Sequence, residues 1–263
     1  MHAPCCRKVY TNRPGGCEST FDGDWLARQA RRIMLLPLKD DNPLRIIPFQ
    51  AVTIAIMAVC IAVFLWQENL PQREAMGFTL SYGTIPAVLF DAKTLSPALC
   101  RLPAEATVIS SMFLHGGWMH LIGNMLFLWV FGDNIEDSMG HIRFLVFYLL
   151  CGALATLAFA VSQPLSQSPL IGASGAIAGV LGAYLMLHPR VKVLVLVFMR
   201  VPLRLPAYVV LAFWFGFQIF SVYTHPESQT AWWAHIGGFV AGAILIIPFR
   251  YKHIPLFDKG IRH

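Results

Sequence analysis

The chain has 263 residues, 56% of them hydrophobic and 13% charged, with a mean hydropathy of +0.59 and a formal net charge of +6. A water-soluble domain carries about 25% charged residues, so the composition excludes an ordinary soluble enzyme and defines a polytopic membrane protein. The positive charge does not mark a nucleic-acid binder: Lys and Arg fall between apolar runs, where a membrane protein places them.

Residues 1–45 form a polar leader of mixed charge, without the apolar core of a secretory signal. Its opening, 1–33, is expected to be an extension upstream of a start at Met34, where "MLLPLKDDNP" begins. Of the six cysteines, Cys5 and Cys6 are adjacent in this leader and are taken as incidental; no pair of CxxC motifs and no disulfide framework is present.

A helix crossing the bilayer core needs about 20 apolar residues. Six stretches are predicted to do so: 47–66, 118–133, 144–162, 172–188, 206–223 and 231–249. The expected fold is therefore an all-α, six-helix membrane domain over 46–249, with a tail at 250–263. The long connection 67–117 contains interrupted apolar runs and is expected to lie half-embedded in the lipid interface. "VKVLVLVFM" at 191–199 is too short to span and is bracketed by charge; it is placed at the interface, a buried strand being the other reading.

With the N-terminus in the cytosol, seventeen of the twenty Lys and Arg residues fall on the cytosolic side, in the leader, the 134–143 and 189–205 loops and the tail. Only Arg73, Lys93 and Arg101 remain outside. This asymmetry predicts both termini inside, and places Trp66, Trp118, Trp232 and Trp233 at the external boundary as an aromatic belt.

Polar side chains are costly in lipid and point to function. Spans two, four and six all run from outside to inside, and their first turns hold His120 and Asn124, Ser174, and His235. At 1.5 Å rise per residue, all four lie within about 10 Å of the external helix ends. His120 and Asn124, four residues apart, share a face. Gly238 and Gly242 follow His235 on its face, and Gly175, Ala178 and Gly182 flank Ser174; small residues of this kind let membrane helices approach closely. A serine hydroxyl needs a base to become a nucleophile. No Lys lies in a span, and the acidic residues lie in the leader, loops or tail, apart from Asp133 at a cytosolic span edge. What remains is a Ser174–His235 dyad, with His120, Asn124 and the Ser174 backbone N–H able to donate to an oxyanion. Taken singly, each residue has a plainer reading as helix packing or a satisfied polar group. His115 is assigned to packing in the external loop, while His141, His188 and His225 are read as incidental.

A metal centre is not expected. His115 and His120 are five apart and do not share a face, no HExxH occurs, and no carboxylate or thiolate is near.

The motifs "HGGWMHLIGN", "GASGAIAG" and "AHIGGFVAG", in this order inside a six-span pattern, resemble those of the rhomboid intramembrane serine proteases over residues 45 to 249. The resemblance implies Ser174 as nucleophile, His235 as general base, His120 and Asn124 in the oxyanion hole, and packing roles for His115, Gly172, Gly175, Gly238 and Gly242. It implies transmembrane protein substrates cut near their external end, a lipid-bilayer setting, and no cofactor, metal or nucleic acid. The 67–117 loop would be the lateral element beside the site, with 224–230 capping it. Two departures stand out. Ala106 and Thr107 occupy positions where many members carry Trp-Arg, and Ala178 lies where some carry a Tyr supporting the histidine ring. Two other readings are a catalytically silent relative that binds membrane clients, which typically lacks one of the dyad residues, and a transporter, whose Gly-rich spans also line pathways. The chain's small size and lack of a transit peptide lead to the expectation of a bacterial inner membrane.

Overall fold

The computed structural model describes residues 35–197, 200–224 and 230–257; the supposed start extension and the centre of the 224–230 cap lie outside them. Strand β1 (Leu35–Asp40) leads to helix α1 (Ala51–Glu68). The connection that follows folds into α2 (Gln72–Tyr82), the single turn α3 (Pro86–Leu89), α4 (Ala104–Ser110) and a 3-10 turn at Ser111–Phe113. Then come α5 (Trp118–Met139), α6 (His141–Ser162), α7 (Ser174–Leu187), β2 (Lys192–Val197), β3 (Val201–Pro206), α8 (Ala207–Thr224) and α9 (Trp232–Phe249).

The six longer helices coincide with the six expected spans, but they are not alike. Four of them, α1, α6, α8 and α9, are long and apolar enough to cross a membrane. Their outward faces carry exposed large hydrophobics, such as Ile54, Val59 and Leu65 on α1 and Leu150, Leu154 and Leu157 on α6. Contiguous apolar surface of this extent belongs in lipid. Helix α5 instead places Asp133, Glu136 and Asp137 in its last two turns. Helix α7 has 14 residues, or about 21 Å of rise, against a hydrocarbon thickness of about 30 Å. It is apolar all round because it is enclosed all round: every residue from Gly175 to Tyr184 is buried.

Helices α6 and α9 pack closely on α7. The α7–α9 contact is glycine on glycine: a Cβ on Gly238 would run into the Gly175 carbonyl, and one on Gly242 into that of Gly179. Away from this seam the core is filled by large side chains, among them Phe64, Leu128, Phe131, Phe144, Phe147, Tyr148 and Tyr184, each no more than 1% exposed.

Two expectations are corrected. The fold is not all-α. The 192–197 run is the central strand of a three-stranded antiparallel sheet in the order β1-β2-β3. Pro37 pairs with Val195 and Asp40 with Val193 on one side, and Leu203 with Val195 and Leu205 with Val193 on the other. Val193 and Val195 are fully buried. The pairing satisfies the backbone groups that a lone six-residue run would leave open, and it draws residues 35–40 out of the leader. The second correction concerns 134–143, which is not a loop: α5 runs on to Met139, and only Gly140 separates it from α6.

The extra turn of α5 serves the N-terminus of α1, which has no local side-chain cap. Glu136 accepts from the amides of Val52 and Thr53 at 2.9 and 2.8 Å and from the Thr53 hydroxyl at 2.7 Å. Asp137 accepts from the amides of Arg45, Ile46 and Ile47. These are donors that a helix start and its lead-in otherwise expose, and carboxylates at a helix N-terminus also suit its dipole.

Candidate active site

Ser174 is the first residue of α7, and His235 lies in the first turn of α9. The glycine seam sets the two helix starts side by side, and His235 Nε2 lies 2.9 Å from Ser174 Oγ. No carboxylate among the described residues shares in this contact. On its other side, His235 Nδ1 lies 2.8 Å from Oε1 of Gln218, a residue of α8 that is 3% exposed. The imidazole is also flanked by Trp214, with ring centroids 5.7 Å apart and planes tilted by 37°, and by Trp232, met edge-on at 6.2 Å.

These contacts identify what holds the ring where Ala178 offers no support. Sequence reading missed Gln218, Trp214 and Trp232. A buried amide in an otherwise apolar span is a signal that could have found Gln218; Trp232 reads from the sequence as a residue of the membrane boundary.

His120 and Asn124 come from the first two turns of α5 and face the turn that precedes Ser174. Gly172 there has φ +117°, in the left-handed region that favours glycine. A Cβ at this position would meet His120 Nε2 at 2.6 Å and lie 3.7 Å from Asn124 Nδ2. Gly172 therefore does more than pack: its missing side chain is the space these two polar heads occupy. Asn124 is 7% exposed, and its Nδ2 is buried with no hydrogen-bond partner among the described residues. His115 is fully buried, its ring centroid 5.2 Å from that of His120. Gly175 lies against Ala155 and Ala234. Thus Ser174, His235, His120, Asn124 and Gly172 converge on one end of the bundle, with His115 just behind.

The 67–117 connection reaches the same end and is anchored without Trp-Arg at 106 and 107. Thr84 and Leu170 exchange both backbone hydrogen bonds, at 3.0 and 2.7 Å. The Thr84 hydroxyl donates to the Thr107 carbonyl at 2.8 Å, and the Ser111 carbonyl accepts from the Gly172 amide at 2.9 Å. The connection is thereby tied to the turn on which Ser174 is mounted.

The remaining polar side chains named from sequence lie at the other end. His141 contacts Glu136, and His188 lies against Tyr184. His225 is outside the described residues. No group of three or more metal-ligating side chains occurs among the described residues. At the end of β1, Asp40 accepts from Asn134 Nδ2 at 3.0 Å and from the Tyr184 hydroxyl. Burial pushes its carboxyl up from the ordinary 3.8 to about 6.

Fold and site together define a polytopic helical membrane protein with a serine and a histidine in contact at one end of its bundle. The Rhomboid domain profile matches residues 104–252, and the chain belongs to the rhomboid family. It is 36% identical over 99 residues to Rhomboid protein 1, mitochondrial, of Saccharomyces cerevisiae, covering 36% of this chain and 29% of that protein. It is 33% identical over 144 residues to the Rhomboid protease GluP of Bacillus subtilis, covering 54% and 26%. To RHOMBOID-like protein 12, mitochondrial, of Arabidopsis thaliana it is 31% identical over 155 residues, covering 52% and 44%. The matched stretches span from about a quarter to somewhat under half of these relatives' own lengths. The relatives support a rhomboid-type intramembrane protease or an inactive relative of one. They include bacterial and mitochondrial proteins, so they do not select the bacterial inner membrane.

Proposed function

We propose that this protein is an active serine endopeptidase that cuts membrane-spanning segments of other proteins by a Ser174–His235 dyad. The observation that carries the proposal is the 2.9 Å approach of His235 Nε2 to Ser174 Oγ, which is hydrogen-bond reach for a general base and its nucleophile.

Ser174 Oγ attacks the scissile carbonyl carbon as its proton passes to His235 Nε2. The carbonyl oxygen takes the negative charge and is held by Asn124 Nδ2, His120 and the Ser174 amide. Collapse of this intermediate breaks the C–N bond, and the leaving amine takes the proton from His235. Water then attacks the acyl ester, giving a proton to Nε2. The second intermediate expels Ser174, which recovers that proton. Asn124 Nδ2 is an amide donor that no protein acceptor engages among the described residues, which supports its assignment to a charge that develops beside it.

The proposal includes the layout. Residues 46–249 form six spans with both termini in the cytosol, and the connection 67–117 lies in the outer interface. The substrate's backbone must leave its own helix to reach Ser174, because a helical carbonyl is otherwise engaged. The test is co-expression with a panel of tagged single-span proteins. Wild type should yield fragments, and Ser174→Ala or His235→Ala should yield none while folding normally. Cleavage surviving Ser174→Ala in purified protein overturns the proposal.

A further inference from the structure

Among the described residues no acid reaches His235 to orient it, and a neutral imidazole can carry its proton on either nitrogen. Only the form with the proton on Nδ1 leaves Nε2 able to accept from Ser174. Something must choose between the two forms, and the groups around His235 determine what it is.

Gln218 is a buried amide on an otherwise apolar stretch of α8. Its Nε2 lies 3.1 Å from the Trp214 carbonyl one turn back. A carbonyl only accepts, so the amide nitrogen must occupy that side. The atom left facing His235 Nδ1, at 2.8 Å, is therefore Oε1. An amide oxygen also only accepts, so Nδ1 must bear the hydrogen. A neutral imidazole has one such hydrogen, so Nε2 presents its lone pair to Ser174 Oγ at 2.9 Å. The chain of roles from the Trp214 carbonyl to the Ser174 hydroxyl has a single consistent solution.

We infer that Gln218 is the positioning residue that fixes the reactive tautomer and orientation of His235, in the place an acidic residue holds in a three-membered serine-protease triad. The inference rests on the Ser174–His235 reading above. The same contact serves the imidazolium formed during the reaction, since Nδ1–H keeps its acceptor while Nε2 gains a proton. Being neutral, Gln218 supplies direction and a dipole but no full charge, so its removal costs less than loss of an acid does. Trp214 takes part twice, through its carbonyl on Gln218 and its ring beside the imidazole.

The test uses the full-length protein in detergent, with Gln218→Met to remove the acceptor at similar volume and Gln218→Glu to restore it with charge. Three readouts are followed: the rate of Ser174 labelling by a fluorophosphonate, kcat and KM on a transmembrane peptide substrate, and their pH dependence. Gln218→Met should lower kcat and the labelling rate about 10- to 100-fold with KM little changed. Gln218→Glu should retain activity and move the acid limb of the profile to higher pH, because a carboxylate favours the imidazolium. In 15N-histidine spectra, with the His235 signals identified by their absence in His235→Ala, wild type should show a protonated Nδ1 and an unprotonated Nε2, and Gln218→Met should lose this pattern.

Wild-type kcat and an unmoved profile in Gln218→Met overturn the inference, as does an Nε2–H tautomer in the resting protein. If Gln218→Met does not fold, an unshifted acid limb in Gln218→Glu overturns it equally. Wild-type protein that neither labels nor cleaves defeats the dyad reading itself. Labelling at equal rates in wild type and Gln218→Met defeats only the role of Gln218.

Discussion

Helix α5 carries buried polar groups at both ends, and the two ends treat them oppositely. At the far end, Glu136 and Asp137 accept from five backbone amides and a hydroxyl. At the Ser174 end, Asn124 points an amide nitrogen at the turn before Ser174 and donates it to nothing among the described residues. Saturated groups hold a structure together, while an unpaired one costs free energy at rest and pays for itself only if a partner arrives later. On the proposed mechanism that partner is the oxyanion. One helix thus joins an anchor to the proposed reactive site, and the difference can be measured because stability and activity should separate along it.

The largest effect is expected from the anchor. Glu136→Ala leaves the Val52 and Thr53 amides and the Thr53 hydroxyl without their acceptor, in a place with no exposure to solvent. The loss should be about 3–5 kcal/mol of stability, read as a lower midpoint in denaturant unfolding of the purified protein. Activity per folded molecule should change little. A loss under about 1 kcal/mol would mean that apolar packing alone docks α1, and the anchor half of the comparison would fall.

Asn124→Ala probes the other end with the opposite signature. Because the side-chain nitrogen has no protein partner to lose among the described residues, the unfolding midpoint should fall by no more than about 1 kcal/mol, well short of Glu136→Ala. Cleavage, in contrast, should slow about 10²- to 10³-fold through kcat, the usual cost of one oxyanion donor. A variant that loses stability but keeps its turnover would reverse the assignment and make Asn124 part of the scaffold.

The same contrast governs what could be read from the sequence. The convergence of Ser174, His235, His120 and Asn124 was legible because each is polar in an apolar span, and the spans alternate direction so that all four reach one level. Gly238 and Gly242 were legible as the smooth face of α9. The anchor was not. Glu136 and Asp137 look like ordinary loop acids, since hydropathy falls where they begin, and their value lies in amides 83 to 92 positions away. The sheet was hidden for a related reason. Its three six-residue strands are each too short to declare themselves, and β1 comes from a leader more than 150 residues before its partner. Gln218 escaped because its role depends on one ring nitrogen of a residue on another helix. Local pattern reveals what a residue avoids; it does not reveal which distant donor a residue satisfies.

Asp40 gives a smaller and more discriminating test, since it lies at the anchored end yet is held against its preference. Its carboxyl is pushed up to about 6 in the folded protein, against an ordinary 3.8, because burial outweighs the hydrogen bonds from the Tyr184 hydroxyl and the Asn42 backbone. Between these values the folded state holds more protons than the unfolded one, so this residue's contribution to stability is greatest below pH 3.8 and declines as pH rises through 6. Asp40→Asn keeps an oxygen for both donors and removes the charge. It should raise stability at neutral pH by on the order of 1–3 kcal/mol, flatten the decline between pH 4 and 6, and leave cleavage at the distant dyad unchanged. If the variant is less stable than wild type at pH 7.5, the charged carboxylate itself is holding β1 against Tyr184 and Asn134. Asp40 would then belong with Glu136 and Asp137 as an anchor.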